Sequence, residues 1–128
     1  MKVKELTIGD WVLDGGVKAQ VTSITCDGNI ETTRRMSNEE IVEPLSITEN
    51  ILLDNGYERG TYAWRTFIKN LNDTQRLVIN QFERNDNVWL FKVVNPQDMS
   101  IENHILLNHV HQLQQAYRLL EIKDEIKL

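Results

Sequence analysis

The chain has 128 residues, enough for one hydrophobic core, and its 41% hydrophobic and 26% charged residues exclude a disordered polymer. Its net charge of −5 is uneven: residues 1–64 hold 6 Lys/Arg against 11 Asp/Glu, and residues 65–128 hold 8 of each. Such an acidic balance repels a phosphate backbone at long range, so nucleic-acid binding is disfavoured. No apolar run reaches the roughly 20 residues that span a bilayer, so no membrane partner is expected.

A lone cysteine, Cys26, excludes an internal disulfide and fits a reducing compartment. It lies in the turn Cys26-Asp27-Gly28-Asn29 with no neighbouring base to activate it, so a structural role is expected. The stretch Met1–Glu5 is charged and lacks an apolar run, which makes a secretory signal unexpected and a cytoplasmic location the default.

In chain order, the first forty-five residues read as short strands: Leu6–Leu13, Val17–Thr25, Asn29–Arg34 and Ile41–Leu45. Gly15-Gly16 and Asp27-Gly28 supply the positive-φ residues of tight hairpins. Pro44 cannot donate to a ladder, which puts the fourth run at a sheet edge. Thr48–Asn55 reads as a two-turn helix, with Thr48 as N-cap, Ile47 and Leu52 at staple spacing, and Gly56-Tyr57 as a Schellman stop. Thr61–Lys69, Arg76–Arg84 and Val88–Val94 form a meander, with Trp89, Phe91, Val93, Leu77 and Ile79 on one face. The other face, with Val78, Asn80, Phe82, Leu90 and Lys92, is mixed. Ile101–Leu107 fits a loop, a strand or the start of a helix. Asn108 is a candidate cap for a final helix at 109–121, whose buried stripe is Val110, Leu113, Tyr117 and Leu120.

Candidate chemistry concentrates in that helix. His111, Gln114, Gln115 and Arg118 are spaced by three, four and seven positions and make one polar ridge beside the apolar stripe. At a helix N-terminus His111 should be neutral, able both to donate and to accept. His104, His109 and His111 lack the i, i+4 spacing of helical metal ligands, and no cysteine pair completes a zinc site, so no metal is expected. Glu39, Glu40, Glu43 and Glu49 read as a solvated acidic surface, and Asp10 as a turn or strand-end residue. No serine lies in a nucleophile elbow, and no phosphate loop, dinucleotide motif or calcium loop is present, so neither a cofactor nor a catalytic residue is expected. Trp11 and Trp89 alternate with aliphatic residues, Trp64 sits between Tyr62 and Thr66, and all three read as core.

Three blocks carry a resemblance: Gly9-Asp10-Trp11-Val12, then Pro44-Leu45-Ser46-Ile47-Thr48 with Leu52 and Gly56-Tyr57, and then His109-Val110-His111-Gln112-Leu113-Gln114. In that order the chain resembles a group of small bacterial, phage-associated proteins to which no activity is assigned. It departs from their pattern at His109 in place of Tyr, Ile47 in place of Leu and Tyr57 in place of Phe. The resemblance implies a shared fold and draws attention to His111 and Gln114, polar residues inside a motif without an obvious packing role.

The expected fold is α+β: an N-terminal antiparallel SH3-like partial barrel, a short capped helix, a three-stranded β-meander and a C-terminal helix packed on it. Residues 1–128 are expected to form a single domain, with a β-rich part at 1–46 and the helix, meander and C-terminal helix at 47–128. The expected function is a non-enzymatic interaction module, of phage or mobile-element origin. It would take a protein or peptide partner, or a second copy, through the ridge His111, Gln114, Gln115 and Arg118 or through a strand edge. Two alternatives are nucleic-acid binding by Arg59, Arg65, Lys69, Arg76, Arg84 and Lys92 on the meander, and a small enzyme centred on His111.

Overall fold

Glycines set the hairpins of the N-terminal region. Gly15 and Gly16 adopt φ of 61° and 85°, conformations that L side chains avoid, and reverse the chain between β1 (Trp11–Asp14) and β2 (Val17–Ile24). A second turn around Gly28 leads into β3 (Asn29–Thr32), followed by β4 (Met36–Asn38) and β5 (Val42–Pro44). The computed structural model describes residues 1–60, 65–82 and 85–128, an α+β chain with two antiparallel five-stranded sheets and two helices. It divides into two compact units: Met1–Ser46 with His109–Ile126 and Leu128, and Ile47–Asn108 with Lys127.

Unit 1 contains the sheet β4-β3-β2-β1-β5, preceded by a 3-10 turn at Val3–Glu5. β5 lies at its edge, as Pro44 requires. Val12, Val21, Ile30, Val42 and Leu6 form its core, with Met1, Val3 and Ile24 packed against them. The C-terminal helix α2 (Val110–Leu119) belongs to this unit and packs on β1. The reason is polar as well as apolar. Val110, Leu113 and Tyr117 are buried as the stripe predicts, but so are His111 and Gln114, whose burial the stripe omits. Leu120 is only half-buried, and Leu119 is exposed.

The N-cap of α2 is His109, one residue later than the expected Asn108. His109 is held extended (φ −128°, ψ 156°) by an antiparallel bridge to Ser46, while the Val110 N–H donates to the Leu45 carbonyl. Gln112 at N3 reaches back, its Oε1 accepting from the His109 N–H at 3.0 Å.

Unit 2 begins with α1 (Glu49–Asp54), punctuated as its sequence foretold. Thr48 Oγ1 accepts from the Ile51 N–H, Gly56 takes φ 90°, and the Tyr57 N–H donates to the Leu52 carbonyl. Lys69 Nζ closes the same helix end on the Asn55 carbonyl at 2.8 Å. The sheet runs β10-β9-β8-β7-β6, from β6 (Glu58–Arg59) through β7 (Thr66–Asn70), β8 (Arg76–Phe82) and β9 (Asn85–Val94) to β10 (Ile101–Leu107). The meander thus has five strands where three were expected, and the ambiguous Ile101–Leu107 is an edge strand. Leu77, Ile79, Gln81, Trp89, Phe91 and Val93 point to the buried face, while Val78, Asn80, Phe82, Leu90 and Lys92 are half-buried on the other. Both strand orders are linear, so among the described residues neither sheet closes on itself. The expected core residue Trp64 lies outside the described residues.

Glu121, the residue after the Leu120 C-cap, has φ 58° and closes α2 with the Ile122 N–H on the Tyr117 carbonyl at 2.8 Å. A left-handed L residue costs about 1–2 kcal/mol, and glycine returns part of that as chain entropy. Glu121→Gly is therefore expected to raise stability by about 0.5–1 kcal/mol in urea denaturation.

Candidate functional site

At the start of β1, α2 and Gln20 serve the polar groups that no strand pairs, Gln20 Nε2 donating to the Gly9 carbonyl at 3.1 Å. Gln114 meets that need from a buried position: its Oε1 accepts from the Trp11 N–H at 2.7 Å and its Nε2 donates to the Gly9 carbonyl at 2.9 Å. One side-chain amide thereby makes the two bonds that a neighbouring strand would make.

Beside it lies Asp10, fully buried. Its Oδ2 accepts from the Thr7 N–H at 2.8 Å and from Gln115 Nε2 at 2.9 Å, and its Oδ1 accepts from Arg118 Nη1 at 2.7 Å. Gln115 Nε2 also donates to the Glu5 carbonyl. Gly9, at φ 95°, lets the Arg118 guanidinium approach; a Cβ there would stand 3.3 Å from Nη2.

Of the four ridge residues proposed from sequence, Gln114, Gln115 and Arg118 thus hold the segment 9–11, and His111 packs at the base of α2. They also border two clefts. Gln114 and Arg118 line one of about 370 Å³ with Ile8, Gln20, Tyr117 and the segment Ile122–Ile126. His111 and Gln115 line another of about 410 Å³ with Met1, Glu5, Pro44 and His109.

In the second cleft the His109 and His111 rings stack, with centroids 5.6 Å apart and planes 11° from parallel. An ideal helix would splay residues two apart; the extended backbone at His109 brings them together. His111 Nδ1 is enclosed and, among the described residues, has no hydrogen-bond partner. Burial holds both imidazoles below their ordinary value. Asp10 and Glu5 oppose this at His111 while His109 reinforces it, and Glu5 alone opposes it at His109. Among the described residues no group of three His, Cys, Asp or Glu is placed to hold a metal ion.

The tail supplies what the sequence pattern did not single out. Ile122 and Ile126 are buried, Lys123, Asp124 and Glu125 between them are exposed, and the Trp11 indole N–H donates to the Ile126 carbonyl at 2.9 Å. Asp14 was also missed. Burial pushes its carboxyl up, but hydrogen bonds from Thr32, Ser37 and Arg35, with the Arg35 charge, hold it below its ordinary value. Cys26 is exposed in its turn.

The basic residues of the meander are largely engaged within unit 2. Arg65 donates to Glu49 at 3.1 Å and to Gln81 at 3.3 Å and lies 5.1 Å over the Trp89 ring. Arg59 pairs with Glu49, Lys69 caps α1, and Arg76 donates to Asn70 at 2.7 Å. Lys92 is half-buried, and Arg84 lies outside the described residues.

Asp10 and Glu49 offer a contrast in what an acidic partner contributes. Asp10→Ala strands the Thr7 N–H and the Gln115 amide and is expected to cost about 2–4 kcal/mol. Glu49→Ala removes half-exposed pairs to Arg59 and Arg65 and is expected to cost about 0.2–1 kcal/mol. Urea denaturation of the two variants checks the difference.

No helix among the described residues is long and apolar enough to cross a membrane. No family model, curated protein or solved structure matches this chain.

Proposed function

We propose that the protein is a non-enzymatic interaction module that binds a peptide segment of a partner protein in the cleft lined by Ile8, Gln20, α2 and the segment Ile122–Ile126. The observation that carries this reading is the hydrogen bond from the Trp11 indole to the Ile126 carbonyl at the margin of that cleft. The surface there already handles a segment that is neither helix nor strand. It takes two buried isoleucines four positions apart and one backbone carbonyl, and leaves three charged residues in water. A partner segment with the same alternation would meet Ile8, which is 62% exposed, together with Tyr117 and the Arg118 guanidinium. Apolar anchors with a few fixed polar groups are the usual makings of a peptide site.

The finer description of unit 1 as an SH3-like partial barrel belongs to the same proposal. It is supported by the order β4-β3-β2-β1-β5, in which the fifth strand returns to pair with the first. The resemblance to phage-associated proteins supports service in a mobile element and suggests no ligand.

The test is selection of a displayed random-peptide library against the full chain, followed by NMR mapping of a selected peptide. Peptides pairing two apolar residues across charged ones should emerge and shift the Trp11 indole and Gln114 amide signals. Ile8→Asp should weaken binding by about tenfold, the effect of losing one apolar anchor. Binding that leaves Trp11 unmoved, or that survives Ile8→Asp unchanged, would overturn the assignment.

A further inference from the structure

We infer that His109 and His111 form a proton-operated latch: two stacked neutral imidazoles that seat the first turn of α2 and release it on acidification. The inference begins from placement. His109 is pinned in the extended conformation by its bridge to Ser46, and His111 is 4% exposed one helical position beyond Val110. Their rings lie face to face at 5.6 Å over a cleft of about 410 Å³.

A proton arriving at this pair meets three obstacles. Protonating His111 makes both ring nitrogens donors, and the enclosed Nδ1 has no acceptor within reach among the described residues. A second proton would set two like charges on stacked rings. The α2 N-terminus adds the positive end of the helix dipole.

The charged groups facing the pair do not remove these obstacles. Asp10, before β1, already accepts from Arg118, Gln115 and the Thr7 N–H. Glu5, on the 3-10 turn, is exposed, so water screens its carboxylate. Met1 also lines the cleft, its ammonium bonded to the Glu39 carbonyl. Pro44, from β5, contributes no titratable group.

Burial depresses the proton affinity of both rings below the ordinary value of 6.5, which fixes the sign. The unfolded chain takes its protons near 6.5 while the folded chain still refuses them. Stability is therefore fully present above about 6.5 and is lost as the pH falls through that value toward the folded one. The turn that loosens is the one leading into Gln114, so the first bonds to weaken are those from Gln114 to Gly9 and Trp11.

The test uses the full chain. In an NMR titration from about pH 7.5 to about pH 5, the His109 and His111 Cε1–H signals should titrate below about 6.5. The Trp11 and Gln114 amide signals should move in the same step. Rings that titrate at or above about 6.5, or that titrate without moving those amides, would sink the latch. In parallel, His111→Phe keeps a flat apolar ring and cannot take a proton. Its urea midpoint should fall over this pH range by less than half as much as that of the wild type, whereas an equal fall in both would overturn the proposal. Should the variant fail to fold, the titration of the unaltered chain decides the matter alone.

Discussion

A carboxylate removed from water must find its hydrogen bonds within the protein, and Asp10 is fully buried. Its donors come from the local turn at Thr7 and from Gln115 and Arg118, more than a hundred residues away in sequence. That demand fixes much of unit 1. Gly9 takes a φ of 95° that L side chains rarely adopt, close against Arg118, and Gln114 turns inward to serve the backbone on either side of Asp10. α2 is thereby held in register by three side chains as well as by its apolar stripe. Apolar packing tolerates sliding; five hydrogen bonds at fixed points do not.

How much of this was legible depends on how local each cause is. α1 could be read almost residue by residue, because its cap, staple and Schellman stop are local chemistry carried by Ile47, Thr48, Leu52, Gly56 and Tyr57. The alternation of β8 and β9 was equally plain. The short strands Met36–Asn38 and Glu58–Arg59 were not, since neither carries enough alternation to stand out from a loop. The placement of α2 escaped for a different reason. Its stripe indicates that it packs, while its polar bonds to the start of β1 depend on Asp10, which in sequence looks like any turn aspartate. The same holds for Asp14, whose partners Thr32, Arg35 and Ser37 converge only after two hairpins have formed.

The polar ridge of α2 is engaged first of all within its own unit. Gln114, Gln115 and Arg118 act inward on the segment 9–11, and the surfaces they leave are the clefts on either side. The rule that helical residues two apart diverge holds for two helical residues; His109 is held outside the helix by its bridge to Ser46, which is why its ring meets that of His111. Unit 2 makes a parallel point about charge. Its arginines and lysines suggest a patch on paper, yet Glu49, Asn55, Asn70, Gln81 and the Trp89 ring take up four of them.

The division of the chain into units also orders events in time. Unit 2 is almost continuous in sequence, whereas unit 1 is assembled from both ends of the chain. On a ribosome, the strands β1–β5 emerge first but wait for residues 109–126 before Asp10 has its donors. Unit 2 emerges whole during that interval and is free to fold as a block, as contiguous segments generally do. Until α2 arrives, the carboxylate at position 10 keeps its hydration, and the early sheet is open at the edge that Gln114 will later occupy. A helix made after both sheets is thus the one that dehydrates the turn at Thr7–Asp10.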